Sequence, residues 1–382
     1  MKGTLINKFT ATFNMPPTCC IFSPGRINII GEHTDYNDGF VLPAAIDKGV
    51  YVAIATRPDD VIKLYANEFN VCYETTINNL KKSETLWANY ILGVVNEVKN
   101  AGYNLTGFNL YVMGNLPIGA GLSSSAAVAC ATVFAINNLF NLGITKINMV
   151  HIAQKAEHNY AGVMCGIMDQ FASIMGKKNH CIKLDCKTLA YEHIPLNLEG
   201  YSIVLFNTNV KHALASSAYN TRRAECAQGV TWVKENVAQI NSLRDVNETM
   251  LTNFVLPKNP LVYKRCLFVV QEIERLKTAC TNLQNGDLLS LGKKMFETHK
   301  GLSEAYEVSC KELDFLVAQV ITNKNVLGAR MMGGGFGGCT INIIKTEAVN
   351  EIVQTLSIAY EKNMNLPFSS YITNTSNGTE EL

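Results

Sequence analysis

Ionisable groups crowd into a few short segments of this 382-residue chain. From Ser23 to Pro43, SPGRINIIGEHTDYNDGFVLP sets Arg26, Glu32, His33, Asp35, Asn37 and Asp38 around an apolar strand. Strand alternation does not account for that density of charge. Converging hydrogen-bonding side chains suit a polyhydroxylated ligand, because each hydroxyl both donates and accepts. The competing reading is an ordinary polar loop after a strand.

A second segment, GNLPIGAGLSSSAAVACA from Gly114 to Ala131, is built for phosphate. Glycines let backbone approach a ligand closely, and the serines open a helix whose free N–H groups and dipole favour anions. No Gly-Lys-Ser/Thr follows, so it is not a Walker A loop, and the HRD and DFG signatures of protein kinases are absent. Taken alone, a glycine turn before a capped helix is a common structural device. The third segment, ARMMGGGFGGCTINII, holds five glycines between Gly333 and Gly338. That much lost conformational entropy implies a backbone that must come close to something. Between these lies AEHNYAGVMCGIMDQFASIMG, where Glu157 and Asp169 stand in apolar surroundings. Such carboxylates call for cations or metal; the alternative is that Asp169 merely caps a helix beginning near Gln170.

The elements that must position these groups are read from periodicity. Strands are expected at INIIGEH from Ile27, at Val50, Val61 and Gly107, at His180–Leu184 and Tyr201–Asn207, and at Cys339 and Phe368. Helices are expected over Leu86–Lys99, Ser123–Leu139, Asn148–Tyr160 and Met168–Met175, and from Ser216 into the 320s. After the Cys339 strand, Val349, Ile352, Val353, Leu356 and Tyr360 fall at helical spacing. The mixed order points to an α+β fold rather than a regular βαβ alternation. The length suits two domains, with a boundary near residue 195.

Composition bounds the partners. With 33 basic and 32 acidic residues the net charge is +1, which gives no electrostatic reason for nucleic acid or an acidic membrane. The twelve cysteines include no CxxC pair, and no His pair has zinc-ligand spacing, so they are expected to be reduced and mostly buried. The N-terminus lacks a secretory pattern and no apolar run approaches a membrane span, so a cytoplasmic protein is expected.

Taken together, the segments resemble the galactokinase family, in the superfamily that also holds homoserine, mevalonate and phosphomevalonate kinases. The resemblance runs from about Ile21 to Ile344. It rests on GRINIIGEHTDYNDGFVLP, PIGAGLSSSAA, AEH…CGIMDQF and GGGFGG, with NTNVKHALASSAYNTRRAEC from Asn207 and THKGLSEAYEVSCKELD from Thr298, in family order. It implies two domains, residues 1–195 and 196–382, with the active site in the cleft between them and an N-terminal domain of ribosomal-protein-S5-domain-2-like type. It implies ATP-dependent phosphorylation of the anomeric hydroxyl of D-galactose with Mg²⁺, by a protein acting as a monomer.

By the same resemblance Glu32, His33, Asp35, Gly166 and Tyr219 bind the sugar, and Arg26 and Asp169 face the anomeric hydroxyl. Gly119, Ala120, Gly121, Leu122, Ser123, Ser124 and Ser125 cradle the ATP phosphates; Ser125 and Glu157 hold Mg²⁺; Trp87 lies against the base. Asp169 is either a general base or, paired with Arg26, an orienting and stabilising group. Two positions depart from the family pattern: Met332 stands where relatives often have threonine, and Lys211 where many have arginine. A kinase of N-acetylgalactosamine and a non-catalytic galactose- and ATP-binding sensor are the rival readings. The wording at GEHTDYNDGF and GGGFGG argues against the first, and the intact SSSAA with Asp169 against the second.

Overall fold

The computed structural model describes the chain except for residues 118–119 and 211–214. In chain order it begins with α1 (Lys2–Phe13), β1 (Cys19–Asn28), β2 (Phe40–Val41), β3 (Pro43–Thr56), β4 (Val61–Ala66), β5 (Val71–Thr76), α2 (Leu86–Asn100) and β6 (Phe108–Gly114). There follow α3 (Ser124–Phe140), α4 (Lys146–Ala156), α5 (Met168–Met175), β7 (His180–Asp185), β8 (Tyr191–Pro195) and β9 (Tyr201–Asn207). The helical stretch comprises α6 (Ala215–Lys234), α7 (Glu248–Phe254), α8 (Pro260–Gln284), α9 (Leu288–Lys300) and α10 (Lys311–Val320). The chain closes with β10 (Val326–Met331), β11 (Cys339–Lys345), α11 (Val349–Met364), β12 (Ser369–Thr373) and β13 (Glu380–Glu381).

The first sheet has the order β13-β1-β3-β6-β4-β5, antiparallel except where β4 runs parallel to β6 with Leu64 opposite Leu110. Period-2 alternation serves both of its faces. Val50, Val52 and Ile54 of β3 point into a core with α2, α3, α4 and α5, while Tyr51, Ala53 and Ala55 pack with Leu5 and Phe9 of α1. The second sheet, β10-β11-β9-β12, is also double-faced. Leu205, Ile341 and Ile343 meet α8, α9 and Ile27 of β1 in one core; Val204, Phe206 and Ile344 meet α10 and α11 in another. A small sheet, β2-β7-β8, lies between these elements in sequence. The last residues return to the first half: Thr375 bridges Ile46, Thr379 N–H donates to Ser173 O, and β13 pairs with β1. The α+β class is therefore as expected.

Several local expectations are corrected. INIIGEH is not a strand, because β1 stops at Asn28 and Gly31 takes φ +95°, where an added Cβ would lie 2.4 Å from Leu276 Cδ1. The helix expected to reach Tyr160 ends at Ala156 and widens into a π turn over Glu157–Ala161. Ser123 does not cap α3. Its backbone is left-handed at φ 60° and its hydroxyl is used elsewhere. Strands β5, β8 and β10 and helix α1 were not anticipated: β8 is a polar edge strand, and β10 is buried at every position, so neither alternates as a half-buried strand does.

Candidate active site

Arg26 stands near the end of β1, just past a register shift between Pro24 and Arg26. Gly25 lets the strand come against the loop before α3: a Cβ there would sit 2.6 Å from Leu122 O. Arg26 reaches Asp169 with Nε to Oδ1 at 2.8 Å and Nη2 to Oδ2 at 3.2 Å, and its Nη1 donates to Gly121 O at 2.6 Å. The Ser123 hydroxyl donates to Asp169 Oδ2 at 2.5 Å. Asp169 is thus held by three donors, and the capping reading fails: α5 has no side-chain cap at Ile167. This carboxylate is still a quarter exposed, on the floor of a cavity of about 370 Å³.

Glu32, His33, Asp35, Gly166 and Tyr219, the residues that the resemblance assigns to the sugar, line the same cavity. Glu32 is buried and accepts from Arg330 Nη2 at 2.9 Å and from Gly333 N–H at 2.8 Å. His33 has φ 62°, and its Nδ1 shares a hydrogen bond of 2.8 Å with the Tyr36 hydroxyl. Its buried Nε2 has no partner among the described residues. Burial lowers the imidazole to about 4, against a smaller opposing pull from Glu32, so His33 is neutral at physiological pH. Asp35 opens a short 3-10 turn, Asp35–Asn37. Burial, with Asp169 and Glu32 adding to it, raises its carboxyl to about 6, while the Tyr36 N–H and Arg223 pull it down. Gly166 is obligatory, since a Cβ would fall 1.7 Å from Asp35 Oδ2. The Tyr219 ring lies 5.4 Å from both the His33 and Tyr36 rings, and burial raises its hydroxyl far above the ordinary value.

The glycine run explains itself at two points. Gly335 has φ +85° and a Cβ would meet Val308 O at 2.0 Å, and Gly333 brings its N–H to Glu32 with φ +81°. Met332 is buried in the core behind the run.

On the other side of Asp169 lies the loop expected to meet phosphate. Ala120 and Leu122 are buried, whereas Gly121 and Ser124 are exposed and Ser125 is half-buried at the start of α3. Gly119 and Lys211 lie outside the described residues. Glu157, 3% exposed, accepts from Gln170 Nε2 at 2.6 Å. Burial raises its carboxyl to about 7, Asp169 adds to that, and Gln170, the Ser125 hydroxyl and Arg26 oppose it. Among the described residues no cluster of three metal-ligating His, Cys, Asp or Glu exists. Trp87 is half-buried against the first core, beside exposed Leu86 at the start of α2.

Three supports escaped the sequence reading. Arg330 is fully buried and donates to Ile29 O at 2.8 Å and Met331 O at 2.6 Å as well as to Glu32. Glu272, also fully buried, accepts Gly31 N–H at 2.9 Å and the Thr298 hydroxyl at 2.9 Å, which fixes the turn that carries Glu32 and His33. Tyr36 orients His33. The available signal was a charge inside an apolar stretch, LGARMM and FVVQEIERL.

The fold places the chain in a class. The GHMP kinases N terminal domain matches residues 89–177 and the GHMP kinases C terminal domain residues 279–362. The crystal structure of Methanococcus jannaschii mevalonate kinase shares the fold, with a TM-score of 0.66 at 18% identity over 94% of this chain and 98% of that one. Within that class the likeness narrows. The galactokinase galactose-binding signature matches residues 7–56. Galactokinase of Clostridium acetobutylicum is 40% identical, covering 99% of this chain and 98% of its own; that of Thermotoga petrophila is 41% identical, covering 94% and 99%. The crystal structure of Lactococcus lactis galactokinase complexed with galactose has a TM-score of 0.95 at 35% identity, over the whole of both chains. The chain belongs to the galactokinase family.

Proposed function

We propose that the protein transfers the γ-phosphoryl group of ATP to the anomeric hydroxyl of D-galactose, giving galactose 1-phosphate and ADP. The observation that carries this reading is Asp169, bound by Arg26 and Ser123 on the floor of a cavity walled by Glu32, His33, Asp35 and Tyr219. Family membership supports it. Residues 1–195 would supply the sugar and phosphate contacts and residues 196–382 the glycine run and α6.

In phosphoryl transfer the protein mostly positions reactants and neutralises charge. Asp169 would accept a hydrogen bond from the anomeric hydroxyl. Its three donors fix the carboxylate in place, which suits orientation of the nucleophile as well as proton acceptance. Arg26 also offsets negative charge gathering at the transferring group. Glu32, Asp35 and His33 Nε2 would hold the remaining hydroxyls. Ser125 and Glu157 offer hard oxygen donors side by side, so the pair suits Mg²⁺ held jointly with phosphate oxygens. Bound there, Mg²⁺ would supply Lewis-acid neutralisation of the phosphate charge.

No described helix is long and apolar enough to cross a membrane. A cytoplasmic monomer remains our expectation. The test is phosphorus NMR of a reaction containing the protein, ATP, Mg²⁺ and galactose. A sugar 1-phosphate is expected; a 6-phosphate, or no turnover, would overturn the reading.

A further inference from the structure

Between Glu157 and α5 the chain leaves helical geometry and forms an exposed strap over the sugar cavity. Gly162 has φ +75°, Val163 and Met164 are 44% and 57% exposed, and Cys165 and Gly166 line the cavity. The strap's inner face is demanding, because Gly166 lies directly on the Asp35 carboxylate. Its own ties come from one side: Val163 N–H donates to Glu157 O at 3.1 Å, and His158 Nε2 bonds Cys165 O at 2.9 Å. From the opposite side Arg223 of α6 reaches the strap, its Nη1 donating to Met164 O at 2.5 Å. Arg223 follows Tyr219 by four residues and so shares its helix face. Its guanidinium lies 5.2 Å from the Tyr36 ring centre. It therefore touches the strap, Tyr36 and the field of Asp35 at once.

The geometry points to Arg223 as a positioning residue for galactose: it clasps the 162–166 strap from α6, keeping Gly166 against the Asp35 carboxylate. This rests on the proposed kinase reading. The groups acting on Asp35 come from every packed element. Asp169 of α5 and Glu32 oppose its ionisation, the Tyr36 N–H and Arg223 favour it, and Tyr219, Cys165 and Cys186 stand by as neutral neighbours. Arg223 is the cation that favours ionisation in that set; Arg26, which lines the same cavity, is engaged by Asp169, and His33 there is neutral. Without Arg223, the carboxyl moves up from about 6 toward neutrality, so galactose binding weakens first at acid pH.

The experiment compares Arg223→Gln and Arg223→Lys with the wild type by ADP release across pH, with thermal melts to establish folding. Glutamine retains a donor for Met164 O but no charge; lysine retains charge but not the planar fork. For Arg223→Gln the galactose KM is expected to rise roughly fivefold near pH 6, approaching tenfold at lower pH, as a shift of one unit of pKa would give. It should recover toward the wild-type value as pH is raised, with kcat and the KM for ATP within about twofold. Arg223→Lys should keep the wild-type acid limb. A wild-type galactose KM in both variants at every pH would overturn the proposal. So would a rise in the Gln variant that is independent of pH and shared by ATP, or an acid limb in the Lys variant displaced as far as in Gln. Absence of galactose turnover by the wild type would instead defeat the kinase reading itself.

Discussion

The two sides of Asp169 are built differently. On the side proposed for the sugar most carboxylates are tied down by protein: Glu32 to Arg330 and Gly333, Asp169 to Arg26 and Ser123, and Glu272 behind them to Gly31 and Thr298, while Asp35, raised to about 6 by burial, is the exception. On the phosphate side Gly121 and Ser124 are exposed backbone and hydroxyl, and Glu157 is a buried carboxyl whose charge is disfavoured. A neutral sugar brings no charge of its own, so its site must be assembled beforehand, and discrimination between epimers depends on fixed acceptors. A nucleotide with its metal brings charge, so its site can leave charge unbalanced until the ligand arrives.

The contrast breaks most sharply at the residue shared by both sides. Asp169→Asn keeps shape but loses the charge that Arg26 and the nucleophile share. Turnover is expected to fall by roughly 10²–10⁴ while galactose binding remains measurable by calorimetry. A wild-type kcat in this variant would leave Asp169 as a structural partner of Arg26 alone.

The next effect tests whether the sugar side is prebuilt. Arg330→Met removes the guanidinium from fully buried surroundings and leaves Glu32 without its counter-charge. Breaking such a pair costs about 3–5 kcal/mol, to be read by urea denaturation without ligand. A loss below about 1 kcal/mol would mean that the Arg330–Glu32 pair does not hold this part of the pocket, and that the pocket is not preassembled.

A smaller effect concerns sugar choice. Asp35→Ala deletes an acceptor that the Gly166 backbone presses into place. A mismatched hydroxyl at a charged acceptor costs about 1–3 kcal/mol, so the galactose KM should rise sharply and the ratio of kcat/KM between galactose and glucose should narrow. If that ratio is unchanged in a folded variant, selectivity lies elsewhere in the pocket.

What could be read without coordinates divides along the same line. The residues proposed to hold the sugar, Glu32, His33 and Asp35, are polar groups in a polar loop, and they announce themselves. So does the glycine run. Their supports, Arg330 and Glu272, each sit alone in an apolar element, where periodicity registers only core. Nor can spacing foresee that Ser123, at a position typical of a helix cap, gives its hydroxyl to a carboxylate 46 residues away, because that depends on α5 crossing the start of α3. Strand β10, buried on both faces, carries no alternation to read. Long-range closure was the missing information.

The smallest predicted effect separates the two sides by pH and metal. Glu157 lies at about 7 and Asp35 at about 6, each raised chiefly by burial. Both must be deprotonated to act, so activity at limiting substrate should fall as pH drops through these values. Mg²⁺ competes with the proton on Glu157, whereas Asp35 would face a neutral sugar and no metal. Raising Mg²⁺ from limiting to saturating should therefore move the acid limb of kcat/KM for ATP downward by up to about one pH unit. The acid limb of kcat/KM for galactose, measured at saturating MgATP, should stay near 6. In Glu157→Gln the first limb should lose its Mg²⁺ dependence and the second should be unaffected. If both limbs shift together with Mg²⁺ in the wild type, the two carboxylates titrate as one unit across Asp169. The division between a prebuilt sugar side and a ligand-completed phosphate side would then fail.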